Sequence, residues 1–484
     1  DALIAGDTIR SDESWDADTV LITSDIYIPS GITLTIPGGT YVISEGRNGI
    51  IINGAISAGG YQSDSVFFTA SDTSEGWTGF TVKNNALSSD TADFSYCVFS
   101  HCQLEDDQIY GGAFTLEPGS KTRIHRSLIR KCVSVYGGAI YADSADLIIT
   151  GCTFRKDSAS DGGAIYIENT SDILIENNHF YLNKASSEGG AIFVKAGSPL
   201  IRNNIFDSNS AGLHGGGLYL DSGTDIINCL FTGNSSVGSS GGALYSAWNS
   251  GPRIINCTFT KNNAPSGSSI LLYYSSASII GCIIWGNTSS DTSLKNISSS
   301  PSILYSCLQD SITGTGNIYS DPLFSDISVE DFSIGENSPC VDGGPSDTSG
   351  LRFPEFDLLL NTRIRNDRPD MGAYEYQPPA LIGTKVDLPL KLELLRNYPN
   401  PFNPSTIIPV NIPLESSGKS CHIEIRDVKG RKIRKIFNGV PDPGSHKFIW
   451  RGINEKGKAV PGGIYIISVS IDGKNFKKKC LLLK

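Results

Sequence analysis

A chain of 484 residues is long for one compact core, and its 52 glycines, single methionine and 18% charged residues suit turn-dense β structure and argue against a helical protein. The net charge of -11 makes nucleic acid an unsuitable partner, and the lack of any run of 18 or more apolar residues excludes a membrane-spanning helix. That charge is divided: residues 391–484 hold 18 Lys and Arg against 7 Asp and Glu, a net +11, which leaves 21 against 43, or -22, for residues 1–390.

The chain opens at Asp1 without a leader-like segment and reads as the mature form of an exported protein, secreted or held at the outer cell surface. Residues 1–75 read as an N-terminal cap and first coils, with alternation at Ile32, Leu34 and Ile36 broken by Pro37-Gly38-Gly39. Residues 76–320 then carry two interleaved repeats. One is Phe-x-x-Asn, at Phe99 to Cys102, Ile129 to Cys132, Phe154 to Asp157, Phe180 to Asn183, Phe206 to Asn209, Phe231 to Asn234, Phe259 to Asn262 and Ile284 to Asn287, in steps of 25 to 30. The other is Gly-Gly-Ala-apolar, beginning at Gly111, Gly137, Gly162, Gly189, Gly215 and Gly241 and decaying at Gly267, in steps of 25 to 27.

Short apolar strands at a fixed period of this size cannot bury their apolar faces alone, so each repeat is one coil of a solenoid and stacking makes the core. No 3.6-residue apolar period appears, which excludes helical repeats. The fold class of the repeat region is therefore all-β, a right-handed parallel β-helix. The 11 cysteines form no CxxC pairs, and Cys97, Cys152, Cys229, Cys257, Cys282 and Cys307 follow the repeat. They read as a stack of small buried thiols, with disulfides at Cys102–Cys132 or Cys421–Cys480 as the alternative.

Residues 321–377, which include Asp370-Met371-Gly372-Ala373-Tyr374-Glu375-Tyr376, are expected to cover the unpaired strand edges at the end of the rod. Residues 378–390 read as a linker and 391–484 as the second domain.

The paired Gly-Gly-Ala-Ile and Phe-x-x-Asn motifs over roughly residues 90–290 resemble the repeats of polymorphic outer-membrane adhesins and of bacterial right-handed β-helix proteins. That fold hosts adhesins, lyases and structural proteins alike. The tail resembles the C-terminal sorting domain of type-nine secretion cargo, related to the Ig-like domain of flagellar hook-cap proteins. The residues that carry this are Asn397-Tyr398-Pro399-Asn400-Pro401-Phe402-Asn403-Pro404, Asp427 with Gly430 and Arg431, Trp450, and Tyr465. The resemblance implies a small sandwich, export across an outer membrane by dedicated secretion machinery, and surface anchoring or release.

The residue after Gly-Gly-Ala-apolar is aromatic in five successive coils: Tyr141, Tyr166, Phe193, Tyr219 and Tyr245. Alternation places it opposite its neighbours, such as Ile165 and Ile167. If those face the core, this is an exposed ladder for sugars or a protein partner; if the pleat is reversed, it is core packing. Arg126, Arg130, Lys131, Arg155 and Lys156 lie on neighbouring coils near Asp157 and Asp161, either as a lyase-like basic group or as a solvated flank. No clustered Asp pairs of the glycosidase kind are apparent. Asp342, Asp357 and Asp370 are the candidates for calcium in a chain otherwise expected to hold no cofactor or metal, and His101, His125, His179, His214, His422 and His446 show no ligand spacing. The leading expectation is a non-enzymatic structural or adhesive protein whose acidic rod and basic tail associate head to tail with further copies. The alternative is a carbohydrate-active protein, either a lyase or a glycan-binding module.

Overall fold

The computed structural model describes residues 2–378 and 391–483, apart from 62–63, 85–86, 88–89, 104–109, 170–171, 249, 289–290, 403–404, 414–415, 417, 442–443 and 472. The chain forms two units, Asp1–Gln377 and Pro378–Lys484. The linker expected at 378–390 lies, beyond its first residue, outside the described residues.

Most coils of the first unit lay down three short strands, for example Asp146–Thr150, Thr153–Arg155 and Ile165–Glu168, and four successive coils add a two-residue strand such as Ser158–Ala159 that forms a small sheet of its own. Each strand pairs in parallel register with its counterpart one coil on: Leu147 with Ile173, Phe154 with Phe180, Tyr166 with Phe193. One face is a sheet of 12 strands, and the other two merge through the long strand Thr19–Ile28 into a sheet of 23. Coiling begins at once, with Ala2–Thr8 on Thr19–Ile28, and the last strand of the stack is Cys307–Leu308.

The repeat residues form ladders inside the rod. Phe154, Phe180, Phe206, Phe231 and Phe259 are fully buried and stack ring on ring at 4.6–4.9 Å. Asn183, Asn209, Asn234 and Asn262 each donate an amide N–H to the side-chain oxygen of the next Asn and to a Phe carbonyl of the preceding coil. Buried backbone groups demand partners, and this ladder supplies them at a bend where strand pairing lapses.

The cysteines do the same work at the other bend. The N–H of Cys97 donates to Ser127 Oγ, that of Ser127 to Cys152 Sγ, and that of Cys152 to Asn178 Oδ1; the chain continues through Asn204, Cys229, Cys257 and Cys282 to Ser306. Thiol, hydroxyl and amide are interchangeable there as acceptors, and all 11 thiols are free and buried. A Cys421–Cys480 disulfide is ruled out by register. Those residues lie opposite Ile471 and Tyr465 on one strand, six residues and about 20 Å apart.

Residues 321–377 do not simply close the end of the rod; they lie along the flank of its last coils. Asn203 and Asn256 donate side-chain amides to the carbonyls of Phe356 and Asp370, and Gly372 N–H reaches the Gly281 carbonyl at 2.7 Å. The cause is a change in an outward column. Thr150, Glu176 and Arg202 are followed in register by Ile227, Ile255 and Ile280, which need cover, and Leu351 packs on them.

The paired strands of the second unit are antiparallel, with one parallel bridge between Phe402 and Leu482. A sheet of Glu393–Leu394, Thr406–Ile412 and Gly444–Trp450 accompanies a sheet of Lys432–Gly439, Cys421–Asp427, Gly463–Ile471 and Lys474–Leu482, and both contribute to one core. The motif residues are its joints. Trp450 is buried, lies edge-on to Tyr465 at 5.0 Å and near Phe402 at 5.3 Å, and donates Nε1–H to the Ile453 carbonyl. Asp427 accepts the backbone N–H of Lys429 and Arg431 and the Arg431 Nε–H, around a turn in which Gly430 takes φ +80. Tyr398 pairs with Ile407, the Pro399 carbonyl accepts the Thr406 hydroxyl, and Asn400 Oδ1 accepts from Leu481 N–H; Pro401 lies between Asn400 and Phe402, whose N–H reaches the Leu481 carbonyl. Asn403 and Pro404 fall outside the described residues.

Asp157 occupies an Asn position in the ladder and is wholly buried; its carboxyl accepts from the N–H of Cys132 and of Arg155. Burial pushes its pKa up to about 8, against about 3.9 in an unfolded chain. Since the folded value is the higher, stability should fall as pH rises from about 4 to about 8. Asp157→Asn supplies the missing NH2 and should remove that slope, raising stability at pH 8 by about 2 kcal/mol or more. Thermal unfolding of both proteins at pH 5 and pH 8 checks this, and parallel pH profiles would refute it.

Candidate functional site

Tyr141, Tyr166, Phe193, Tyr219 and Tyr245 form a cluster separate from the rod interior, continued by Leu271. The ladder therefore faces out of the coil, while Ile165, Ile167, Leu218 and Leu220 face in. It is nevertheless not an open stripe, since its members are only 5–8% exposed. Parallel strand spacing brings successive rings to 4.6–5.6 Å with planes within 18°, so each ring face is covered by the next. Tyr110 also closes on Tyr141, Tyr136 on Tyr166 and His214 on Tyr245. Of the two pleats expected, the outward one is found; the exposure is corrected. Ring edges and hydroxyls, not ring faces, meet the groove.

Two polar columns flank this floor. The residue directly before each Gly-Gly forms one: Tyr110, Tyr136, Asp161, Glu188, His214 and Ser240, bridged or hydrogen-bonded coil to coil. The residue two beyond the aromatic forms the other: Asp143, Glu168, Lys195 and Asp221, then Ala247 and Tyr273. Neither column has a fixed residue type, so neither shows in a motif; reading the sequence in register at these two offsets would have found both.

Around Phe193 and Tyr219 the columns bring three carboxyls together. Glu188 N–H donates to Asp161 Oδ1 at 3.1 Å, and Asp221 stands two residues beyond Tyr219 on the same strand face. Burial raises the pKa of all three. For Glu188 the negative charges of Asp161 and Asp221 add to burial and take it up to about 7. Glu168 differs: against its burial, hydrogen bonds from Lys195 at 2.6 Å and from the Tyr141 hydroxyl at 2.8 Å hold it below the ordinary value. Burial also lowers His214. The groove thus holds a carboxyl that carries its proton near neutrality beside others of different affinity, the pattern from which acid–base pairs are made.

The other candidates do not assemble. Arg126 is engaged by Tyr96, Arg155 is buried over the Tyr181 ring, and Arg130, Lys131 and Lys156 sit on the same outer flank. Asp157 is inside the rod and Asp161 in the groove, so no basic group faces a shared carboxylate. The oxygens of Asp342, Asp357 and Asp370 receive N–H donors from Asn366, from Leu359, Asn361 and Glu375, and from Asp342 and Tyr376. Among the described residues no group of three or more His, Cys, Asp or Glu could hold a metal ion.

Two families match the chain. One, described as right handed beta helix region, matches residues 70–234 and 201–321, together just over half of it; the other, described as FlgD Ig-like domain, matches residues 400–474. No curated protein matches.

Because the ladder is packed, Phe193→Ala should cost about 3 kcal/mol, as a core truncation does, where an open platform residue would cost almost nothing. Denaturant unfolding of the variant decides, and a loss under about 0.5 kcal/mol would show the ladder is not part of the packing.

Proposed function

The chain belongs to the right-handed β-helix family, and from that premise we propose that it is an exported protein that binds a neutral glycan along the outer groove of its rod. The observation that carries this is the meeting of Asp161, Glu188 and Asp221 beside the ring edges of Phe193 and Tyr219. Sugar hydroxyls are good donors to carboxylates, and ring edges and hydroxyls supply complementary contacts along a repeating polymer. Sign decides the class of glycan. The groove carries Asp143, Asp161, Glu168, Glu188 and Asp221 against Lys195, so a polyuronate would be repelled, which argues against the lyase form of the carbohydrate reading.

Export and surface display rest on the C-terminal motif and its resemblance to type-nine sorting domains; the second unit is the address and the first is the working part. The division of charge, -22 against +11, favours a second reading in which copies associate head to tail into a filament or surface layer. Sedimentation at low and high salt separates the two: a salt-independent monomer removes the filament and leaves the groove untouched.

For the groove, a glycan array should show neutral oligosaccharides bound and uronate polymers not. Glu188→Gln and Asp221→Asn should each weaken that binding at least tenfold with little change in thermal unfolding. Release of reducing ends by the wild type would add hydrolysis to binding. An array with no binding, or with binding to uronates alone, would overturn the reading.

A further inference from the structure

One coil beyond Asp221 the polar column ends. Its next two members are Ala247 and Tyr273, and just after them stand Trp248, 61% exposed, and Tyr274, 46% exposed. The two rings are parallel within 4° with centroids 6.1 Å apart, and the Tyr273 ring meets both edge-on at 5.2 and 4.7 Å. The three aromatics make a supported surface patch, anchored through Tyr273 to the buried ladder.

Nothing in the coil requires aromatics there. At this register Ser144 at φ +48, Asn169 at +57 and Ser298 at +51 make a left-handed bend with small polar side chains, while Ala196 and Ser222 do not bend this way. Trp248 at +56 and Tyr274 at +48 make the same bend with large rings, a conformation that is costly for bulky residues and that burial does not repay. Two successive coils therefore hold exposed rings at a strained position that Ser or Asn fills elsewhere.

We infer that Trp248 and Tyr274 form a stacking subsite for a pyranose ring of the glycan bound in the groove. The inference rests on the glycan reading above and extends it along the rod. Strand spacing puts the patch about 4.8 Å per coil from Asp221, close to the length of one sugar unit. Aromatic faces recognise the apolar C–H face of a pyranose, while the carboxyls take its hydroxyls. In a chain with five tryptophans, Trp15, Trp77 and Trp450 are buried, so Trp248 dominates the exposed indole signal.

The test uses the full chain and neutral β-linked gluco-, xylo- and manno-oligosaccharides of two to six units, followed by tryptophan fluorescence and calorimetry. The double variant Trp248→Ser with Tyr274→Ser adopts the residue type of the equivalent bends and should unfold at the wild-type temperature or higher. It should lose the fluorescence response and bind the longest oligosaccharide at least tenfold more weakly, with disaccharide binding changed little. Equal affinity of variant and wild type would overturn the subsite while leaving the groove standing. If Glu188→Gln also binds as well as wild type, or the wild type binds no oligosaccharide, the groove reading fails and the subsite with it. If the substitution instead dissolves a wild-type dimer in sedimentation, the patch is a protein contact and the inference is wrong.

Discussion

The rod depends on one constraint: equivalent residues of successive coils lie a strand spacing apart, in register, from the first coil to the last. Inside, this lets a phenyl stack on a phenyl and an amide donate to the next amide, so that each coil satisfies its neighbour's buried polar groups. The cysteine column shows how little the constraint cares about residue type. Serine, cysteine and asparagine alternate along it because the requirement is an acceptor of small volume facing a backbone N–H, and each supplies one.

The same register shapes the outer surface. Aromatic rings one spacing apart must stack, and stacking hides their faces; this is why an outward ladder is also a buried one. Polar variety is displaced to the columns on either side, where residue type is free to change from coil to coil. Tyr136, Asp161, Glu188 and His214 succeed one another at one position, and Glu168, Lys195, Asp221 and Ala247 at another. A fold with invariant ladders thus carries its individuality in the positions beside them.

What was legible in the sequence follows from this division. The Gly-Gly-Ala and Phe-x-x-Asn periods were enough for the solenoid and its register, because each records a strict steric or hydrogen-bonding demand, while the direction of the aromatic ladder stayed open between two pleats. Exposure of that ladder was not legible, since burial by Tyr110, Tyr136 and His214 depends on how adjacent bends fold over the strands. The carboxyl group was missed because Asp161 and Glu188 stand in one column and Asp221 in the other, and the three share no motif. The flanking position of residues 321–377 had a signal, the change from Thr150, Glu176 and Arg202 to Ile227, Ile255 and Ile280, but it is visible only once the coils are aligned.

A stack that repeats every position is a poor host for neighbouring like charges, since two full charges at the strand spacing repel by about 3–4 kcal/mol at an effective dielectric of about 20. The rod handles its carboxyls in three ways. Asp157 is wholly buried with its proton affinity raised, and Glu168 is neutralised by Lys195 and a tyrosine hydroxyl. Asp161 and Glu188, half-buried and likewise raised in proton affinity, are the third case: consecutive members of one column, with Asp221 adding to the rise at Glu188. Other coils meet the same backbone demand with Tyr136, His214 or Ser240 at no electrostatic cost. An arrangement that folding does not need and that electrostatics opposes is the physical ground on which the glycan proposal places binding beside these two residues.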